Sequence, residues 1–394
     1  MNKKERAANA IRLKKVDRIP VVYRGTKPVS EYLMKYYGFK EYSNFAKNYK
    51  PFLKKLGADF WGMGHNICLF SSFCPKYKGE GPKRPYIKDM LLYYTLGIHA
   101  IEKKIKEYDF AYPQFIDPPL GNVDHVDELK KGFLTSKLDL FDFNNFQNLY
   151  YYHKDKTQSG EENTVFEELK INHLKDSNEF LGLGTFNSPF IMCSYLRGME
   201  QFLMDIYVNK KVAEFIVKEV EEFILEFNRR ELEGFGKKAE QYNSWDDVAD
   251  QSRTIMNPEI FQKYFLPVYQ NLIENAKKYD LFFTWHCCGN VNEVLPMMID
   301  AGIDMLNVVQ TSAKDMQLER VYKSYGRDIC FDGGIDVQAL LVSKKPKDIK
   351  EEVKKAFNLW GKNGGIILGP SHEIVPGTPV ENIFALFNSI KELN

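Results

Sequence analysis

The sequence lacks any uninterrupted apolar run of about 18 residues, so no segment reads as a membrane-spanning helix. It also lacks net charge: 54 Lys and Arg against 53 Asp and Glu leave a formal +1. That balance gives no electrostatic footprint for nucleic acid or an anionic membrane, and points to a small molecule or another protein as partner. Cysteines number only six, scattered except for the adjacent Cys287 and Cys288. Adjacent cysteines rarely bridge each other, so the chain carries no disulfide framework, and a reducing cytoplasm is the expected location. No G-x-G-x-x-G follows an apolar run and no Gly-Lys-Ser/Thr loop occurs, which removes the common nucleotide cradles. Repeats of fixed period and long low-complexity tracts are absent. Met1 to Val16 has no apolar core; with Lys3, Lys4, Arg6, Arg12, Lys14 and Lys15 it reads as a solvated first helix, not a signal peptide.

What is present fits a soluble globular protein: 44% hydrophobic and 27% charged residues in 394. That length is unremarkable for an α/β barrel, and it buries enough core to fold without disulfide or metal. Eight short apolar runs end in polar or glycine residues: Arg18–Arg24, Asp59–His65, Phe180–Phe186, Glu240–Asp246, Leu281–Cys287, Met305–Gln310, Ile329–Ile335 and Gly365–Pro370. They do not alternate cleanly, as expected for strands buried on both faces. Helical spacing marks Val212–Phe235, Pro258–Tyr279 and Lys347–Trp360. Strand–helix alternation predicts a parallel sheet, and eight units predict an α/β fold of the (β/α)8 TIM-barrel type. An open doubly wound sheet is the alternative.

The rhythm breaks once. We read residues 1–394 as one domain, with residues 66–179 as a long insertion after the second strand, a lid or docking surface. The insertion holds a possible helix at Leu96–Tyr108, a Pro-rich turn at Pro113–Pro119, an aromatic, Asn-rich piece at Phe141–Tyr152 and a charged linker at Lys154–Glu162.

In such barrels the residues at the C-terminal strand ends converge on one mouth. Here those residues are Arg24, His65, Asn187, Asp246 with Asp247, His286 with Cys288, Gln310, Asp332 and His372. In an extended strand His286 and Cys288 face one side and Cys287 the other. An imidazole beside a thiolate suits Zn2+, which needs at least one further ligand, and His372 after Gly369-Pro370-Ser371 is the natural third. The same spacing also fits a buried core histidine beside two inert buried cysteines, with His372 a loop residue that binds substrate or packs. Asp246 and Asp247 suit acid–base work or metal ligation, and equally a helix cap. The Gly333-Gly334 pair would let a ligand approach the backbone, or simply make a tight turn. Gln310, Arg24, His65 and Asp332 are candidate substrate contacts.

From about Phe180 to Asn394 the chain resembles the uroporphyrinogen decarboxylase superfamily. The resemblance is carried by Trp245-Asp246-Asp247, His286-Cys287-Cys288-Gly289-Asn290-Val291, Asn307-Val308-Val309-Gln310-Thr311-Ser312-Ala313 and Phe331-Asp332-Gly333-Gly334-Ile335-Asp336. It continues through Gly369-Pro370-Ser371-His372-Glu373-Ile374 and Pro376-Gly377-Thr378-Pro379-Val380-Glu381-Asn382. It implies a (β/α)8 barrel with its site at the strand C-termini. Decarboxylases of this superfamily bind porphyrinogen carboxylates through a motif resembling M-R-Q-A-G-R-Y. Here Tyr23-Arg24-Gly25-Thr26-Lys27-Pro28 keeps Arg24 but not the Gln or the second Arg, which argues against that substrate.

The other branch consists of zinc-dependent methyltransferases that work with corrinoid proteins. Their signature resembles H-x-C on the fifth strand plus a late Cys; this chain matches at His286 and Cys288 and has His372 at the late position. The resemblance implies methyl transfer from a small methylated substrate, such as a methyl ether in an O-demethylase system. The acceptor would be cob(I)alamin on a separate corrinoid protein, because no D-x-H-x-x-G type motif occurs here. Zinc would act as the Lewis acid, with Asp246 or Asp247 supplying a proton. The alternatives are a uroporphyrinogen decarboxylase-type lyase and a non-catalytic barrel that binds a tetrapyrrole or a protein.

Overall fold

The computed structural model describes residues 1–40, 45–62, 73–78, 96–105, 110–148 and 180–394. All eight expected runs form strands, and all eight run parallel. β1 (Val22–Arg24) pairs with β2 (Phe60–Gly62). Within the insertion, β3 (Phe73–Tyr77) pairs antiparallel with β6 (Phe141–Asn148), and β4 (His99–Ile105) with β5 (Phe110–Ile116). The remaining six, β7 (Gly182–Leu183), β8 (Gln241–Trp245), β9 (Phe282–His286), β10 (Met305–Val309), β11 (Cys330–Ile335) and β12 (Ile366–Pro370), form one sheet in sequence order. Single bridges, Val21 to Leu368 and Gly25 to Ile374, join β1 to the β12 flank. The strand order is therefore β2, β1, β12, β11, β10, β9, β8, β7. No backbone pairing links β2 to β7 among the described residues.

Side chains bring those two ends together nonetheless. Val22, Phe60, Phe180, Phe282, Met305, Cys330 and Ile367 form one apolar cluster beneath the strands. Helix Lys3–Ile11 seals it from below through Ala7, Ala10 and Ile11. This corrects the expectation of a solvated first helix. Its cations dominate the composition, but Ala7, Ala10 and Ile11 share one face at helical spacing, and burying that stripe decides its position.

Strand period two then sets the next layer. Two residues beyond Val22, Phe282, Met305, Cys330 and Ile367 come Arg24, Thr284, Asn307, Asp332 and Gly369. Barrel interiors are usually filled by branched aliphatics; here one apolar layer is followed by a polar one. Both faces of β9, β10, β11 and β12 are buried, which explains why their apolar residues do not alternate cleanly with polar ones. The expected helices form at Lys210–Phe235 and Pro346–Trp360. Pro258–Tyr279 is divided into Pro258–Tyr264 and Leu266–Lys277, with Pro267 opening the second piece as a residue without an N–H to donate.

The insertion departs from expectation. Leu96–Tyr108 is not helical: His99–Ile105 is a strand of a hairpin with Phe110–Ile116, which takes in the start of the expected Pro-rich turn. An aromatic, β-favouring partner strand outweighs a helical pattern of few apolar residues. The aromatic, Asn-rich piece supplies β6. Phe141 and Phe143 meet Phe227, and Phe146 stacks on Phe235, so β6 lies against helix Lys210–Phe235. Lys154–Glu162 lies outside the described residues. No described helix is long and apolar enough to cross a membrane.

At the floor, the Asp59 carboxylate accepts from Arg6, Arg18 and the Val21 N–H, joining the first helix to β1 and β2. Removing it leaves the buried Arg6 guanidinium with the exposed Asp17 as its only carboxylate partner among the described residues. Asp59→Ala is expected to lower unfolding free energy by about 3 kcal/mol in urea titrations. A change under 0.5 kcal/mol would show the cluster to be only a surface charge group.

Candidate metal centre

β8 and β9 lie in register, with Trp245 opposite His286. Each strand end delivers two consecutive residues to opposite sides. On β9, His286 and Cys288 turn toward the mouth, with His286 Nε2 3.5 Å from Cys288 Sγ. Cys287 turns into the core, where its sulfur accepts the Val248 N–H at 3.4 Å. On the loop after β8, Asp247 turns to the mouth: Oδ1 lies 3.7 Å from His286 Nε2 and accepts the Cys288 N–H at 3.0 Å. One ligand atom from each of Asp247, His286 and Cys288 lies within 4.8 Å of the others, an O, N, S group of the kind that could hold a metal ion.

The loop beyond Cys288 is fixed by close backbone approach. Gly289 has φ +89°, and a Cβ there would fall 2.3 Å from the Asp250 carbonyl oxygen. Its N–H donates to Gln310 Oε1 at 2.7 Å. Gln310 thus holds the ligand loop, where the sequence suggested a substrate contact. Gly333 and Gly334, both at positive φ, lie against neighbouring groups: a Cβ on Gly333 would meet Ser371 Cα at 3.1 Å, and one on Gly334 the Leu318 side chain at 3.0 Å.

Asp246 is completely buried. It accepts from the Phe190 and Ile191 N–H groups, at 2.9 and 2.8 Å, and from the Tyr269 hydroxyl at 2.6 Å. It therefore caps helix Pro189–Arg197, whose own Ser188 makes no side-chain cap. Burial pushes its carboxyl up to about 7 against the pull of those donors. Burial also pushes the Cys288 thiol well up, and the Asp247 carboxylate beside it adds to the effect.

Arg24 and Asp332 are buried and paired with each other through Arg24 Nη2 and Asp332 Oδ2. Arg24 Nη1 donates to the Pro370 carbonyl at 3.1 Å. The same Asp332 oxygen accepts from Asn307 Nδ2, and Asn307 Oδ1 lies 2.7 Å from His286 Nδ1. A polar chain thus runs from β1 through β11 and β10 to the candidate ligand on β9. Arg24 Nε, Asp332 Oδ1 and Ser371 Oγ are buried without a protein hydrogen-bond partner among the described residues, so the polar layer still offers groups to a polar ligand or water.

Residues 140–393, well over half of the chain, match the family model described as uroporphyrinogen decarboxylase (URO-D). The chain belongs to the uroporphyrinogen decarboxylase family. It is 26% identical over 223 residues to a methylcobamide:CoM methyltransferase, MtbA, of Methanosarcina acetivorans, covering 56% of this chain and 60% of that protein. It is 23% identical over 236 residues to a uroporphyrinogen decarboxylase of Carboxydothermus hydrogenoformans, covering 58% and 63%. The match therefore spans about three-fifths of the length of these relatives. A solved methyltransferase structure from Methanosarcina mazei superposes with TM-score 0.64 at 18% identity, covering 100% of this chain and 99% of that one.

Within this family member the sequence candidates separate. His286, Cys288 and Asp247 come together. His372, partly buried after β12, is outside their group of ligand atoms. His65 lies outside the described residues. Asn187 is buried and donates to the Asn243 carbonyl. Asn307 was missed as a site residue: it sits inside a quoted family motif, but an isolated Asn in a buried strand gives no signal of its own.

The two aspartates should respond oppositely to truncation. Asp246→Ala is expected to cost about 2 kcal/mol of stability through the lost helix cap, with metal affinity retained. Asp247→Ala is expected to keep its melting behaviour and lose metal affinity at least tenfold. Urea titration and chelator competition on both variants check this; equal effects on both readouts would refute the division.

Proposed function

We propose that this protein is a zinc-dependent methyltransferase. It moves a methyl group from a small methylated substrate, a methyl ether in our reading, to the cobalamin of a partner corrinoid protein in the cytoplasm. The observation that carries the reading is the O, N, S ligand group of Asp247, His286 and Cys288 at the C-terminal strand ends. The group fits a zinc ion on its own chemistry. A carboxylate set against a half-buried thiol holds that thiol protonated, and a cation between them reverses the balance.

Zinc, when bound, supplies Lewis acidity at the heteroatom that carries the methyl group. The protein's own residues divide the remaining tasks. Asp247 is assigned the third ligand position that its distance supports, leaving a fourth for substrate. Asp246 fixes the helix beside it and stays out of contact with substrate. His372 is assigned to the rim of the site, as a substrate contact or a ligand that replaces Asp247. Methyltransferases among the named relatives support the reading, as does the pairing of Arg24 with Asp332, which withdraws that arginine from any porphyrinogen carboxylate. We take the eight parallel strands as a closed (β/α)8 barrel, with residues 66–179 as the insertion after its second strand.

Near-stoichiometric zinc in purified protein, lost in Cys288→Ala, is expected. Zinc uptake by the metal-free protein in weak buffer should release about one proton per ion, because the Cys288 thiol must ionise to bind. Methyl transfer to a corrinoid protein then identifies the activity. Metal-free protein that decarboxylates uroporphyrinogen would overturn the proposal, and metal-free protein with neither activity would leave a binding barrel.

A further inference from the structure

We infer that Asn307 is a positioning residue that keeps the His286 proton on Nδ1, and that Asp332 and Arg24 hold Asn307 in the one orientation able to do so. The inference rests on the reading of His286 as a zinc ligand through Nε2. Its logic follows from which atoms can donate. Asn307 lies in register with His286 on one side and Asp332 on the other. Arg24 has only donors, so the Asp332 Oδ2 it meets acts as an acceptor. Asn307 meets the same oxygen and must present its NH2 group there. Its carbonyl oxygen is then left facing His286 Nδ1 at 2.7 Å. A carbonyl oxygen only accepts, so Nδ1 carries the proton and the neutral ring has its lone pair on Nε2. Nε2 is the atom 3.5 Å from Cys288 Sγ and 3.7 Å from Asp247 Oδ1.

The chain is built to stay in place. All four residues are buried, from four strands, and Arg24 is further tied to the Pro370 carbonyl at 3.1 Å. An amide in contact with the imidazole also has a different effect from a carboxylate. It orients the ring without adding negative charge beside Asp247 and Cys288, and the one carboxylate in the chain is neutralised by Arg24. The orientation exists before any ion arrives, so metal binding need not reorder the ring.

The first test needs no substitution. In metal-free protein labelled with 15N-histidine, two-bond nitrogen–proton couplings report the tautomer, and His286→Gln identifies the His286 signals. The expected form is Nδ1–H; Nε2–H would overturn the inference. The second test is zinc affinity by chelator competition. Asn307→Ala is expected to bind zinc 10–100-fold more weakly while secondary structure is unchanged. Wild-type affinity in that variant would overturn the inference. Should wild-type protein bind no zinc, the methyltransferase proposal falls, and the tautomer measurement alone decides the role of Asn307.

Discussion

Arg24 carries a charge it cannot lose into the interior of a parallel sheet, and that charge has to be met on the spot. Asp332, two places along the strand order, meets it. The pairing decides much of what surrounds it. It commits the second interior layer to polar residues, because a charged pair tolerates few aliphatic neighbours unless its remaining atoms are hydrogen-bonded. Asn307 and the Pro370 carbonyl take up two of those demands. A buried ion pair is a weak source of net stability. What this one provides is orientation, handed on through a neutral amide to the imidazole at the mouth.

Above that layer, strand alternation does the sorting. Asp246 and Asp247, and Cys287 and Cys288, are consecutive pairs at adjacent strand ends, and in each pair one residue goes to the core side and one to the mouth. The core-side members are structural: Asp246 caps a helix and Cys287 receives a backbone N–H. The mouth-side members are the ligand candidates. The two functions sit next to each other in sequence yet are served by different surfaces of the same sheet.

That sorting explains what was legible beforehand. The eight strands could be read because each is a short, largely apolar run bounded by glycine or polar residues, and the His286 and Cys288 pairing follows from a period of two. The segment Leu96–Tyr108 could not be read correctly, since its partner strand Phe110–Ile116 decides its conformation and local spacing does not record partners. Asp247 was legible as half of an acidic pair, but its proximity to Cys288 depends on the register of β8 against β9. Arg24, Gln310 and Asp332 were recognised as belonging to the mouth. Their hydrogen-bond partners, on other strands for Arg24 and Asp332 and on the loop after Cys288 for Gln310, give them a supporting role that the sequence does not show.

The first helix has a consequence for access. Ala7, Ala10 and Ile11 press on the apolar layer at one end of the strands, while Asp247, His286 and Cys288 gather at the other. The helix works as a plug: an ion or small molecule bound at the candidate centre would be approached from the end that the plug leaves clear.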